Sequence, residues 1–127
     1  MTKDELRERL TAFAVKIIKM VDMMPNSISS NAIARQIVRS GTSSSANYRA
    51  ACLAKSDKDF INKLKIVEEE LDETNHWLDL IMRCGMINSA IVDEAYRESK
   101  ELYLIISRSI KTVKNRMNAD CIQQMNK

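Results

Sequence analysis

The sequence predicts an all-α protein, an antiparallel up-down-up-down four-helix bundle, on three observations. Apolar residues recur at alternating steps of four and three through most of the chain, the spacing that lines one face of a helix. Two glycines and one proline in 127 residues leave few forced breaks, so the elements are long. Aromatic residues make up only 5% of the chain and no β-branched run alternates with polar residues, which argues against a sheet. A chain of this length carries one core of ordinary size, hence one domain. Residues 1–118 are assigned to the bundle and 119–127 to a tail expected to fray.

The first helix is read from about Thr2 to Met24, with Leu6, Leu10, Phe13, Ile17, Met20 and Met24 as its inner stripe. Asp4 and Glu5 complement its positive end, and Pro25 follows its last apolar position. The second begins near Ser29 to Asn31, and its stripe of Ile33, Ile37, Ser40, Ser44, Asn47, Ala51 and Ala54 is small and partly polar. Composition alone would make Ser40-Gly41-Thr42-Ser43-Ser44-Ser45 a loop. The periodicity continues through it, however, and small side chains allow close helix approach while hydroxyls bond back to carbonyls one turn earlier. The segment is therefore read as helix.

Ser56, Asp57 and Asp59 form an N-terminal signature resembling a capping box for the third helix. Phe60, Leu64, Val67, Leu71, Thr74, Leu78 and Ile81 then give the strongest periodic signal in the chain, ending near Cys84-Gly85. Asn88 or Ser89 caps a fourth helix to about Asn118, with Ile91, Ala95, Leu102, Ile106, Ile110, Val113 and Met117 inward. Three short connections make sequential neighbours antiparallel.

The fourth helix has more apolar surface than one stripe needs, because Leu102 to Ile106 surround it on every side. A heptad line of Tyr96, Tyr103, Ile110 and Met117 runs along the core edge, and Ile18, Val21 and Met23 lie outside the first helix's stripe. Such a surplus fits either a wide core or an oligomer interface. The interface reading assigns Tyr96, Tyr103, Leu104 and Ile105 to self-association.

Net charge is only +3, but its distribution is uneven. The second segment holds Arg35, Arg39, Arg49 and Lys55 and no acid from Ser29 to Lys55, whereas the third is rich in acids from Glu68 to Asp79. Counting outward from the turn places Arg39 level with Asp72 and Glu73, where it is expected to pair. Late in the chain Arg108, Lys111, Lys114 and Arg116 gather with no intervening acid. They are either a solvated face complementing the negative helix end or a contact for RNA, DNA or an acidic protein. Arg35, Arg39 and Arg49 join them as candidate nucleic-acid contacts.

Catalytic signatures are absent. His76 is the single histidine, and no Gly-rich phosphate loop or Cys-x-x-Cys pair occurs. Glu73-x-x-His76 matches half of a carboxylate-bridged di-metal pattern, but the second half needs another histidine. No catalytic residue, metal site or cofactor is expected. Trp77 beside Leu78 and Ile81 reads as packing rather than base stacking. Cys52, Cys84 and Cys121 are odd in number and widely spaced, which points to the reducing cytoplasm rather than a disulfide framework. The longest apolar run, Leu102 to Ile106, is far below the roughly 20 residues that cross a bilayer, so no membrane role is expected.

Two motifs of the second helix, Gln36-x-x-Arg39-Ser40-Gly41-Thr42-Ser43 and Ala46-Asn47-Tyr48-Arg49-x-Ala51, carry a resemblance. So do Ala54-Lys55-Ser56-x-x-Asp59-Phe60-Ile61-x-Lys63-Leu64 and Glu70-x-Asp72-Glu73-Thr74-x-x-Trp77-Leu78. Together they resemble the bacterial four-helix bundle proteins encoded in 23S rRNA intervening sequences, from about Phe13 to Met117. The resemblance implies a homopentamer and brings no catalytic signature. Similar proteins include accessory proteins of diversity-generating retroelements, basic pentamers that bind nucleic acid and a reverse transcriptase; this chain is much less basic. It also departs from the usual pattern at Ser44 and Ser45, where a hydrophobic residue and Gly are common, and at Ala50, where an acid is usual. The functional expectation is an oligomeric bundle that binds RNA or a ribonucleoprotein, with a protein-only scaffold or adaptor as the alternative.

Overall fold

Each of the four periodic segments opens on a side chain able to cap a helix, and each forms one. The computed structural model describes residues 1–126 and contains α1 (Lys3–Val21), α2 (Ile28–Cys52), α3 (Asp57–Cys84) and α4 (Ser89–Met125). Thr2 and Ser56 accept hydrogen bonds from the backbone N–H of Glu5 and Asp59, both at 3.1 Å, and Asn88 accepts from Ala90 at 2.9 Å. α2 starts earlier than its first periodic apolar residue suggests. Its cap is Ser27, whose extended backbone lets Oγ accept from Ser30 N–H at 3.1 Å, not a residue of the Ser29 to Asn31 group. The misleading signal is Ile28, which is apolar yet 94% exposed in the first turn. α3 ends at Gly85, whose φ of 62° permits Gly85 N–H and Met86 N–H to donate back to Met82 and Ile81 carbonyls.

α1 packs on α2, α2 on α3, α3 on α4 and α4 on α1, and among the described residues no diagonal pair of helices brings its backbones close, as an up-down-up-down bundle requires. The core is built from Leu10, Phe13 and Ile17 of α1, Ile37 of α2, Leu64, Leu71 and Leu78 of α3, and Leu102 and Ile106 of α4. The alternating stripe predicts most of these positions and slips at the bundle's ends. Ile61 rather than Phe60 and Val92 rather than Ile91 are buried, because one residue is a 100° rotation on a helix. Tyr48 likewise enters the core in place of its neighbour Asn47. Met24, Ile33 and Met117 are half-buried against the core.

The Ser-rich run is unbroken helix. Ser40, Gly41 and Ser44 are buried, and the Thr42, Ser44 and Ser45 hydroxyls donate to carbonyls of Val38, Gly41 and Thr42 at 2.6–2.9 Å. Thr74 Oγ1 donates to Ser40 Oγ at 2.8 Å, tying α3 to α2 inside the core. α4 continues past Asn118 to Met125, and every described residue from Asn118 onward is exposed. The last turns therefore stand clear of the bundle. No described helix is long and apolar enough to cross a membrane.

Candidate nucleic-acid interface

Antiparallel order decides which charges meet. The C-terminal half of α4 lies beside the N-terminal half of α3, as the Arg116–Asp57 ion pair at 3.0 Å marks. A plane across the bundle near Ala12, Thr42, Val67 and Ile106 divides the described charges unevenly. One pole (residues 1–11, 43–67 and 107–126) holds twelve Lys and Arg against six Asp and Glu. The other holds seven against eleven, with Arg9 of the first pole paired across the plane to Glu98 and Glu101, so a mild net charge conceals a basic end.

Arg108, Lys111, Lys114 and Arg116 all stand exposed on this basic pole. Lys114 faces Lys58, Asn62 and Lys65 across a groove between α3 and α4. Arg108 and Arg116 line a second groove with Lys3. Arg49 belongs to the same pole but lies beside Arg7 on the α1–α2 side. Arg35 and Arg39 fall on the opposite pole, so the structure does not gather all seven candidates on one surface. Among the described residues Arg35, Arg49, Arg108, Lys111 and Lys114 have no ion-pair partner, which leaves those cations free to meet phosphate. Arg116 is held by Asp57.

Lys58 and Lys65 were not among the candidates from sequence. Their seven-residue spacing, with Asn62 between, sets them on one face of α3, but the acidic second half of that helix masks the signal.

Arg39 pairs with Glu73, as register counting expects, and with Glu70 at 3.2 Å. Asp72 is not its partner; one residue's rotation turns it toward the α3–α4 groove beside Tyr96 and Lys100. On the α1–α4 side, Arg9 reaches Glu98 at 2.6 Å and Glu101 at 3.1 Å. The Glu98 hydrogen bonds raise the Arg9 pKa further above its already high value, against the opposing effect of burial. Lys16 bonds Glu94 at 2.7 Å and lowers that carboxyl's pKa.

Of the candidate interface residues, Leu104 is 49% exposed and Tyr96, Tyr103 and Ile105 are half-buried. The Lys100 ammonium stands 4.7 Å from the Tyr96 ring centre, and the Tyr96 hydroxyl raises the Lys100 pKa. α1 adds exposed Val15 and Ile18 and the turn after it exposed Met23, while Val21 is half-buried. Trp77 packs half-buried against the core with His76 tilted over it at 5.0 Å. Among the described residues no three His, Cys, Asp or Glu side chains converge as metal ligands, and Cys52, Cys84 and Cys121 are free thiols.

A family model described as 23S rRNA-intervening sequence protein matches residues 3–108. Among solved structures, a protein of unknown function from the S23 ribosomal protein family of Bacteroides thetaiotaomicron VPI-5482 is similar at 35% identity. The likeness has a TM-score of 0.78 and covers 84% of this chain and 98% of that one. No curated protein matches. The family match takes in α1 to α3 and α4 as far as Arg108, leaving Lys111, Lys114 and Arg116 beyond it. With sequence motifs, helix order and a match over most of its length in agreement, the chain belongs to the 23S rRNA-intervening sequence protein family.

Proposed function

We propose that this protein is a non-enzymatic, self-associating bundle of the cytoplasm that binds RNA, alone or in a ribonucleoprotein, through its basic pole. The observation that carries the reading is the excess of Lys and Arg where α3 begins and α4 ends, with Arg108, Lys111 and Lys114 free of acidic partners among the described residues. Cations spread over adjacent helices suit a phosphate backbone, since each contact releases condensed counterions. The apolar surplus at Leu104 and Ile105 supports self-association, and the family resemblance suggests a homopentamer.

The test is affinity for RNA against salt concentration. Steeply salt-dependent binding is expected, and replacing Lys58, Lys65 and Lys114 with Gln should flatten the logarithmic slope by about 2 for single strands. Absent or salt-insensitive binding overturns the reading. A protein-only scaffold is the second reading, favoured by the ion pairs that occupy Arg39 and Arg116. It predicts retention of protein partners and no RNA.

A further inference from the structure

α1 and α4 are the most sparsely packed of the four neighbouring pairs. Their polar ties, at Arg9 and Lys16, begin more than a turn into α1, leaving the seam open beside its first turn at the basic pole. The opening is a groove of about 360 Å³, at the lower end of the size range of small-ligand sites. Leu6, Tyr48, Phe60 and Ile105 provide apolar surface, and Lys3, Arg108 and Arg116 line the same groove.

We propose that this groove takes one unpaired nucleotide of a bound RNA, its base on the Phe60 ring and its phosphate between Arg108 and Arg116. The assignment rests on the RNA-binding reading above and names where and in what form the RNA is held.

Two observations and one general principle carry it. Phe60 is half-buried and offers a ring face over which the Lys3 ammonium stands at 4.5 Å, a flexible cation that can swing aside to a phosphate. Arg108 has no ion-pair partner among the described residues, while Asp57 holds the Arg116 guanidinium at 3.0 Å beside the groove. An aromatic face next to cations is the pairing that single-stranded nucleic acid uses, because every base has a π-face. A base stacked and paired inside a duplex cannot enter such a groove. A duplex would meet only the charges.

The experiment uses the full chain and two probes, a single-stranded oligoadenylate and the same oligonucleotide annealed to its complement. The single strand should bind at least about tenfold more tightly than the duplex. Phe60→Leu should weaken the single strand by about tenfold and leave its salt slope unchanged, since stacking is lost and no charge is. Thr112→Trp, at an exposed position lining the groove, fills it without replacing a core residue and should give the same selective loss. Arg108→Gln should lower the single-strand slope by about 0.7. Equal binding of both probes, with Phe60→Leu and Thr112→Trp without effect, overturns the groove assignment and leaves RNA binding by the pole intact. Failure to bind either probe overturns both. A glutamate-rich peptide that displaces the oligoadenylate from wild type but not from Thr112→Trp would reassign the groove to acidic protein and overturn the nucleotide proposal.

Discussion

Gly41 of α2 lies against Ile17 of α1 so closely that a Cβ added at Gly41 would meet Ile17 Cγ2 at 3.1 Å. Ile17 is fully buried and has little room to yield. Two opposed effects therefore act on Gly41→Ala: a helix-propensity gain of about 1 kcal/mol and an overpacking cost of about 1–3 kcal/mol. The expected outcome is a loss of up to about 2 kcal/mol in denaturant unfolding. Adding Ile17→Ala, which removes the crowding Cγ1 and Cγ2, should offset part of it, so that the double variant is more stable than the summed single effects. Simple additivity would count against the close approach.

Tyr48 supplies a pH-dependent prediction. Burial, assisted by the neighbouring Cys52, pushes its phenol up to about 12 from an ordinary value of about 10. Between these values the unfolded chain releases a proton that the folded chain keeps. Stability is therefore fully present below about pH 10 and falls as pH rises toward 12, by an amount of order 2–3 kcal/mol. Phenolate absorbance should show one late-titrating tyrosine that disappears in Tyr48→Phe, with the corresponding part of the alkaline instability. An unchanged titration curve in Tyr48→Phe would contradict the assignment.

Leu104 tests self-association, being 49% exposed on α4 beside half-buried Tyr103 and Ile105. A charge placed there would have to be desolvated in any interface, so Leu104→Glu should lower the solution mass toward 14.5 kDa without unfolding the bundle. Light scattering reads the mass and circular dichroism the helix content. Wild type that is already a monomer at micromolar concentration would exclude the interface.

Local properties of the sequence carry most of the fold. The Ser56 cap and Gly85 terminus are legible because each depends on a few adjacent residues, and the stripe from Leu64 to Ile81 is legible because a helix repeats every 3.6 residues. The Ser27 cap was obscured by exposed Ile28, and Phe60 was exchanged with Ile61, because periodicity tolerates a one-residue error at an element's end. The Arg39–Glu73 pair was predictable by counting from a short turn, whereas the Arg39–Glu70 contact depended on side-chain reach.

The candidate surface was less legible for a different reason. The cluster from Arg108 to Arg116 is visible in one stretch of chain, but its convergence with Lys58 and Lys65 joins residues some fifty positions apart. Arg35 and Arg39 look equivalent to Arg49 in sequence and lie at the other pole. Hydrophobic spacing, caps and turns thus specify four antiparallel helices from short-range chemistry. Which charges share an end, and where α1 and α4 leave a groove, follow from helix register and packing, which arise only when distant segments bury their apolar faces together.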